Sequence, residues 1–103
     1  MNLSGLVVKP EAEYDISSAY LWYENRQAGL GKEFLSSLES TFDKIIANSS
    51  VFMVQRNQIR RARILRFPYT IFFKVENNIG YILTVVHEKR GSKFLIERLE
   101  GLE

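Results

Sequence analysis

Apolar residues recur at helical spacing through the first half of this chain and alternate, as in strands, through much of the second. Ala12, Ile16, Ala19, Tyr20 and Tyr23 stand three or four residues apart, which draws one stripe along a helix. Pro10 suits the first position of that helix, and Glu11, Glu13 and Asp15 place negative charge at its positive end. The stripe fades near Arg26. Gly29 and Gly31 bracket Leu30, so the chain turns there rather than continuing as one rod. Phe34, Leu35, Leu38, Phe42, Ile45 and Ile46 make a second stripe that ends near Asn48, with Lys32, Glu33, Glu39, Asp43 and Lys44 largely on its other side. A connection this short predicts two antiparallel helices with a shared apolar face.

β-branched and aromatic residues then fill three runs, Ala62 to Phe67, Tyr69 to Val75 and Ile79 to Val86, which predict an antiparallel meander. Pro68 has no amide hydrogen to donate and separates the first two runs; Asn77 and Asn78 tolerate the left-handed backbone of a tight hairpin. In the middle strand Tyr69, Ile71, Phe73 and Val75 share an apolar face that needs the helices as cover. Thr70, Phe72, Lys74 and Glu76 share a mixed face, expected to be free for a partner. Leu3 to Val8 reads as a further strand, closed by Lys9 and Pro10, that pairs with the meander. Ser49 to Gln58 reads as a loop whose Val51, Phe52, Met53 and Val54 pack on a sheet edge, and Ser92 to Leu99 as a short helix. The expected fold is α+β: a β-α-α-β-β-β chain with a helical hairpin packed on an antiparallel sheet, one domain over residues 1–103.

Composition narrows the function. With 103 residues, 46% hydrophobic and 25% charged, the chain can build one core, and no apolar run approaches the ~18 residues of a membrane span. Cysteine is absent and His87 is the only histidine, so neither disulfides nor a thiolate or zinc centre is expected, and no cofactor. Met1 to Val8 carries no secretion signal, which makes the cytoplasm the expected compartment. Charge is divided unevenly. Residues 1–54 hold four basic and seven acidic side chains, residues 55–103 ten basic and five acidic, so the sheet half is the basic half. Such a surface favours a polyanion or an acidic protein segment.

Several residues carry two readings each. Arg56, Arg60, Arg61, Arg63 and Arg66 are charges that guard an edge strand or, through the pair Arg61 and Arg63 on one strand face, a clamp for carboxylate or phosphate. His87 at a strand end is a structural histidine or a proton carrier. Arg90 and Arg98 are surface partners for Glu88, Glu97 or Glu100, or part of a binding site. Tyr20, Trp22 and Tyr23 read first as core and interface, and Tyr69 as core despite its hydroxyl.

Taken together, Ala12, Asp15, Trp22 and Tyr23, then Gly29, Gly31 and Phe34, then Arg66-Phe67-Pro68-Tyr69 and the series His87, Arg90, Phe94, Arg98 resemble the RelE/ParE superfamily of toxins from type II toxin–antitoxin modules. The similarity runs over residues 3 to about 99 and implies a growth-inhibiting toxin of plasmid stabilisation type. Its partners would be a cognate antitoxin and a cellular target, with no membrane, as a homodimer or a toxin–antitoxin hetero-oligomer. The resemblance implies two activities. ParE-like members poison DNA gyrase without a hydrolytic centre. RelE-like members cleave messenger RNA on the ribosome, with a basic cluster for phosphate and a tyrosine for proton transfer. This chain departs from the nuclease pattern at Thr70, where an arginine is expected, and at Phe94, where a tyrosine is expected, which favours the ParE-like branch. Under that reading Arg60, Arg61, Arg63, Arg66, Arg90 and Arg98 bind target or antitoxin; under the nuclease reading His87, Arg61 and Arg90 are catalytic.

Overall fold

The last strand sits inside the sheet and the first strand closes its edge. The computed structural model describes residues 2–90, 97, 98, 100 and 101. Strand β1 (Gly5–Val8) leads into helix α1 (Pro10–Arg26) and helix α2 (Leu30–Asn48). A 3-10 turn (Ser49–Val51) follows, then β2 (Val54–Arg56), β3 (Ile59–Arg63), β4 (Tyr69–Glu76) and β5 (Ile79–His87). The sheet order is β1-β5-β4-β3-β2, with β1 parallel to β5 and every other pair antiparallel. The expected helical hairpin on a sheet is present, but the sheet is mixed and has one strand more than the alternation predicts.

That extra strand corrects the expected loop at Ser49 to Gln58. Asn57 takes a left-handed φ of 51°, so Asn57 and Gln58 turn the chain tightly and Val54 pairs with Arg60. The first run of the meander is also displaced: it pairs from Ile59 to Arg63, and Ile64 to Phe67 leave the strand. Arg66 takes a φ of 74°, and the Ile64 amide donates to the Tyr69 carbonyl at 3.0 Å, which closes a turn that drops Ile64 and Phe67 into the core and leaves Leu65 outside. The predicted helix over Ser92 to Leu99 lies mostly outside the described residues, as does Phe94; Glu97, Arg98, Glu100 and Gly101 are helical.

The main core lies between the hairpin and the sheet, as the middle-strand pattern predicts: Phe34, Leu38 and Ile45 of α2 meet Ile71, Phe73, Ile82 and Val85. At one end Tyr23, Phe34, Phe67 and Tyr69 form an aromatic cluster with ring centroids 4.9 to 6.2 Å apart. The hairpin turn has a cap from a distance. Gly29 adopts a φ of 89°, open to glycine without strain, and the Glu24 carboxylate of α1 accepts hydrogen bonds from the Gly29 and Gly31 amides at 2.9 and 3.0 Å. Gly31 must stay small, because a Cβ there would stand 2.8 Å from the Tyr20 ring.

The opposite face of the sheet is less open than the sequence suggests. Ile59, Phe72, Leu83 and Val86 form a second buried cluster there, so the mixed face offers a partner only its Arg61, Arg63, Thr70 and Lys74 portion. Leu83 reaches this cluster through a β-bulge: Phe72 pairs with Thr84 and Phe73 with Ile82, which makes Leu83 the extra residue in β5.

Candidate functional site

The bulge sets up the floor of a cleft. A bulge removes one amide from the ladder, and here the Val85 N–H donates to Asp15 Oδ2 of α1 at 2.9 Å, while the Thr84 hydroxyl donates to the same oxygen at 2.6 Å. The other Asp15 oxygen accepts from Arg98, which also pairs with Glu11. Arg98 is thereby built into the frame, tying the C-terminal turn to α1, and Arg56 ties the same turn to β2 through Glu100 at 3.1 Å.

Above this floor a cleft of about 790 Å³ opens between α1 and the ends of β4 and β5. Tyr14, Ser18 and Trp22 form its helical wall; Tyr69, His87 and Arg90 line the opposite side. His87 Nδ1 accepts the Lys89 amide at 3.0 Å, which leaves the proton of the neutral ring on Nε2. The His87 ring stands edge-on to Tyr69 with centroids 5.0 Å apart. Burial pushes the Tyr69 hydroxyl above the usual phenol range; Arg90 pulls it back down, and Asp15 pushes it up. Burial also raises Tyr23, helped by Tyr69. Since both phenols are raised in the folded chain, they contribute stability below the ordinary value of about 10 and lose it as pH climbs past that value. Of the five tyrosines in the sequence, Tyr23 and Tyr69 should ionise late in an ultraviolet titration, and Arg90→Ala should move Tyr69 still higher.

The arginines singled out by sequence fall on several faces. Arg60 turns toward the helices and donates to the carbonyls of Phe52 at 2.6 Å and Ser50 at 3.3 Å, holding the segment before β2. Arg66 pairs with Glu33 of α2 at 2.8 Å. Arg61 and Arg63 stand opposite Phe72 and Thr70 on the far face of the sheet. Arg61 reaches the Met53 sulfur, and Arg63 pairs with Glu88 at 2.8 Å. Arg90 lines the cleft. Tyr69 was legible only as a core residue; its position beside His87 and Arg90 depends on the hydrogen-bonded turn before β4, for which the sequence signal is Pro68 alone. Among the described residues no helix is long and apolar enough to cross a membrane, and no cluster of three acidic or imidazole side chains could hold a metal.

No family model matches the sequence, and no curated protein matches it. Solved structures do. A chain from the structure of a chromosomal ParDE toxin–antitoxin system of P. aeruginosa aligns with a TM-score of 0.72 over 82% of this chain and 96% of its own length, at 13% sequence identity. With its helical hairpin laid on a five-stranded sheet, this chain has the RelE/ParE-like fold.

Proposed function

We propose that this chain is the toxin of a type II toxin–antitoxin module, of the ParE-like branch, which inhibits DNA gyrase in the cytoplasm and is neutralised by a cognate antitoxin. The fold shared with a ParDE system supports the toxin reading. What supports the choice of branch is that the candidate arginines are spread over several faces, with only Arg90 and Arg98 lining the cleft beside His87. RNA cleavage through the 2′-hydroxyl needs a base, an acid and cations around one phosphate. Here Arg60 is bound to loop carbonyls, Arg66 to Glu33 and Arg98 to the α1 carboxylates, each on a different part of the molecule. Arg61 and Arg63 lie on the far face, and they are the groups assigned to target binding.

Expression should arrest growth with a DNA-damage response and with gyrase trapped on cleaved DNA, while translation in a cell-free extract continues. His87→Ala should keep most of the toxicity, and charge reversal at Arg61 and Arg63 should weaken it, each variant being checked for folding by circular dichroism. The cleft favours one second reading, a ribosome-dependent ribonuclease, because it joins an imidazole, a phenol and the Arg90 guanidinium. Under that reading translation stops, messenger RNA is cut at fixed codon positions, and a folded His87→Ala protein is harmless.

A further inference from the structure

Arg61 differs from its neighbours in what it holds. Arg56, Arg63, Arg66 and Arg98 each pair with a carboxylate, and Arg60 donates to loop carbonyls. Among the described residues no carboxylate pairs with Arg61; its exposed guanidinium donates instead to the Met53 sulfur at 3.0 Å. The backbone fixes this contact. The Arg61 amide donates to the Met53 carbonyl at 3.0 Å, so the two residues face each other as a hydrogen-bonded pair where the chain enters β2, with their side chains on one face. Just before Met53 the chain is held again, because Arg60 grips the Phe52 carbonyl and the Phe52 ring meets Phe73.

Met53 is 63% exposed and stands between two other exposed apolar side chains, Val51 and Val54. Of these three only the thioether is open to oxidation, and the one other methionine in the sequence is Met1. A thioether sulfur is a weak acceptor, so the Arg61 guanidinium rests on it without being firmly held. A hydroperoxide changes that. The sulfur lone pair attacks one peroxide oxygen, a sulfur–oxygen bond forms as the oxygen–oxygen bond breaks, and the departing hydroxide takes the proton of the transferred hydroxyl and, from hydrogen peroxide, leaves as water. Sulfur loses two electrons and the peroxide gains them, and the apolar side chain becomes a polar sulfoxide.

We propose that Met53 is a reversible oxidation site whose sulfoxide captures Arg61. The new oxygen is bound to the atom that Arg61 already touches, so it accepts a charge-assisted hydrogen bond with no change in the strand pairing, and the guanidinium becomes fixed on the sheet edge. Arg63, the other arginine of this strand face, is already balanced by Glu88, so the capture withdraws the guanidinium most open to an anionic partner. Methionine sulfoxide reductase, drawing on a thiol, returns the sulfur to its first state and releases Arg61. For its consequence the inference rests on the toxin reading, in which Arg61 belongs to the target-binding groups: oxidation of Met53 then lowers toxicity.

The full chain is treated with hydrogen peroxide, and conversion of Met53 is followed by peptide mass spectrometry. Phenylglyoxal, which reacts with accessible guanidiniums, is then applied, with Arg63 as the internal reference. In the oxidised chain the reaction at Arg61 should slow by at least ~fivefold relative to Arg63, as a charged bond to oxygen replaces a weak one to sulfur, and sulfoxide reductase should restore the rate. Met53→Gln, whose amide carbonyl stands in for the sulfoxide oxygen, should show the slow rate without peroxide. Met53→Leu should show no response to peroxide, and circular dichroism checks the folding of both variants. The proposal is overturned by an unchanged Arg61 rate with Met53 fully oxidised, or by a slowing as large in Met53→Leu as in the parent chain. It is overturned equally if Met53 in the folded chain resists peroxide that converts N-acetylmethionine amide. If Arg61 slows as expected while expression of the chain causes no growth arrest, the oxidation site stands and the toxin reading fails; if growth is arrested and Arg61 does not slow, the toxin reading stands and the oxidation site fails.

Discussion

Replacing Phe73 by alanine is expected to destabilise the fold by about 3 to 5 kcal/mol, the range for emptying a buried phenyl site. Phe73 has no exposed surface, it stands at the centre of the sheet between β3 and β5, and its ring meets Phe52 edge-on at 5.8 Å. Nothing nearby can collapse easily into the space, because the neighbouring positions belong to hydrogen-bonded strands. Against a total of about 5 to 15 kcal/mol for a domain of this kind, the loss is enough to leave much of the protein unfolded at ordinary temperature. Phe42 on α2 makes a useful comparison. Its position in the helical stripe predicts an equal cost, but it is only half-buried, so Phe42→Ala should cost well under the Phe73 value. Urea denaturation of both variants decides the matter. A Phe73→Ala loss under about 1 kcal/mol would mean that the apolar face of β4 is not the one packed on the helices.

Asp15→Ala should cost about 3 kcal/mol, by a different route. Asp15 is the group on which the bulge, the helix and the C-terminal turn converge: one oxygen serves the Val85 amide and the Thr84 hydroxyl, and the other serves Arg98. Its side chain is 8% exposed and that of Arg98 19%, so removing the carboxylate strands an amide donor and leaves a mostly buried guanidinium with less compensation. Two controls separate these effects. Asp15→Asn retains a carbonyl for Val85 and loses the charge for Arg98, whereas an Arg98→Ala change in both backgrounds measures the pair alone. If the cycle gives no coupling, the cost lies in the bulge; faster hydrogen exchange at Val85 would then be the accompanying sign.

What the sequence disclosed and what it hid follow from the range of the interactions involved. The helical hairpin was legible because its signals are local: a stripe, two glycines and a second stripe. The faces of β4 were legible for the same reason, since alternation assigns Ile71 and Phe73 without reference to any other strand. β2 was hidden because three residues carry too little periodicity to distinguish from a loop, and its existence rests on Asn57 adopting a left-handed turn. Among the arginines, alternation placed Arg61 and Arg63 on one strand face, as the register has them, while Arg60 faces the opposite side of the sheet and Arg66 follows a turn that redirects it to α2. The cleft was the least legible feature, because Trp22, Tyr69 and Arg90 come from three elements, and nothing in any one segment reports the other two.

The place of β1 beside β5 has a bearing on how the chain acquires its form in time. The two partners, Gly5 to Val8 and Ile79 to His87, are separated by most of the molecule, and β5 is also the strand on which Asp15 and the cleft depend. During synthesis the helical hairpin can condense as soon as it emerges, yet β1 has no ladder to join, and α1 no sheet to rest on, until the final strand appears. Loop closure over such a separation is slow compared with helix formation. Folding is therefore expected to finish late and in one cooperative step, and a nascent chain stalled before residue 79 would hold neither the cleft nor the docked form of α1. For a protein whose finished form is proposed to arrest growth, this order of events would keep the unfinished chain inactive while it is being made.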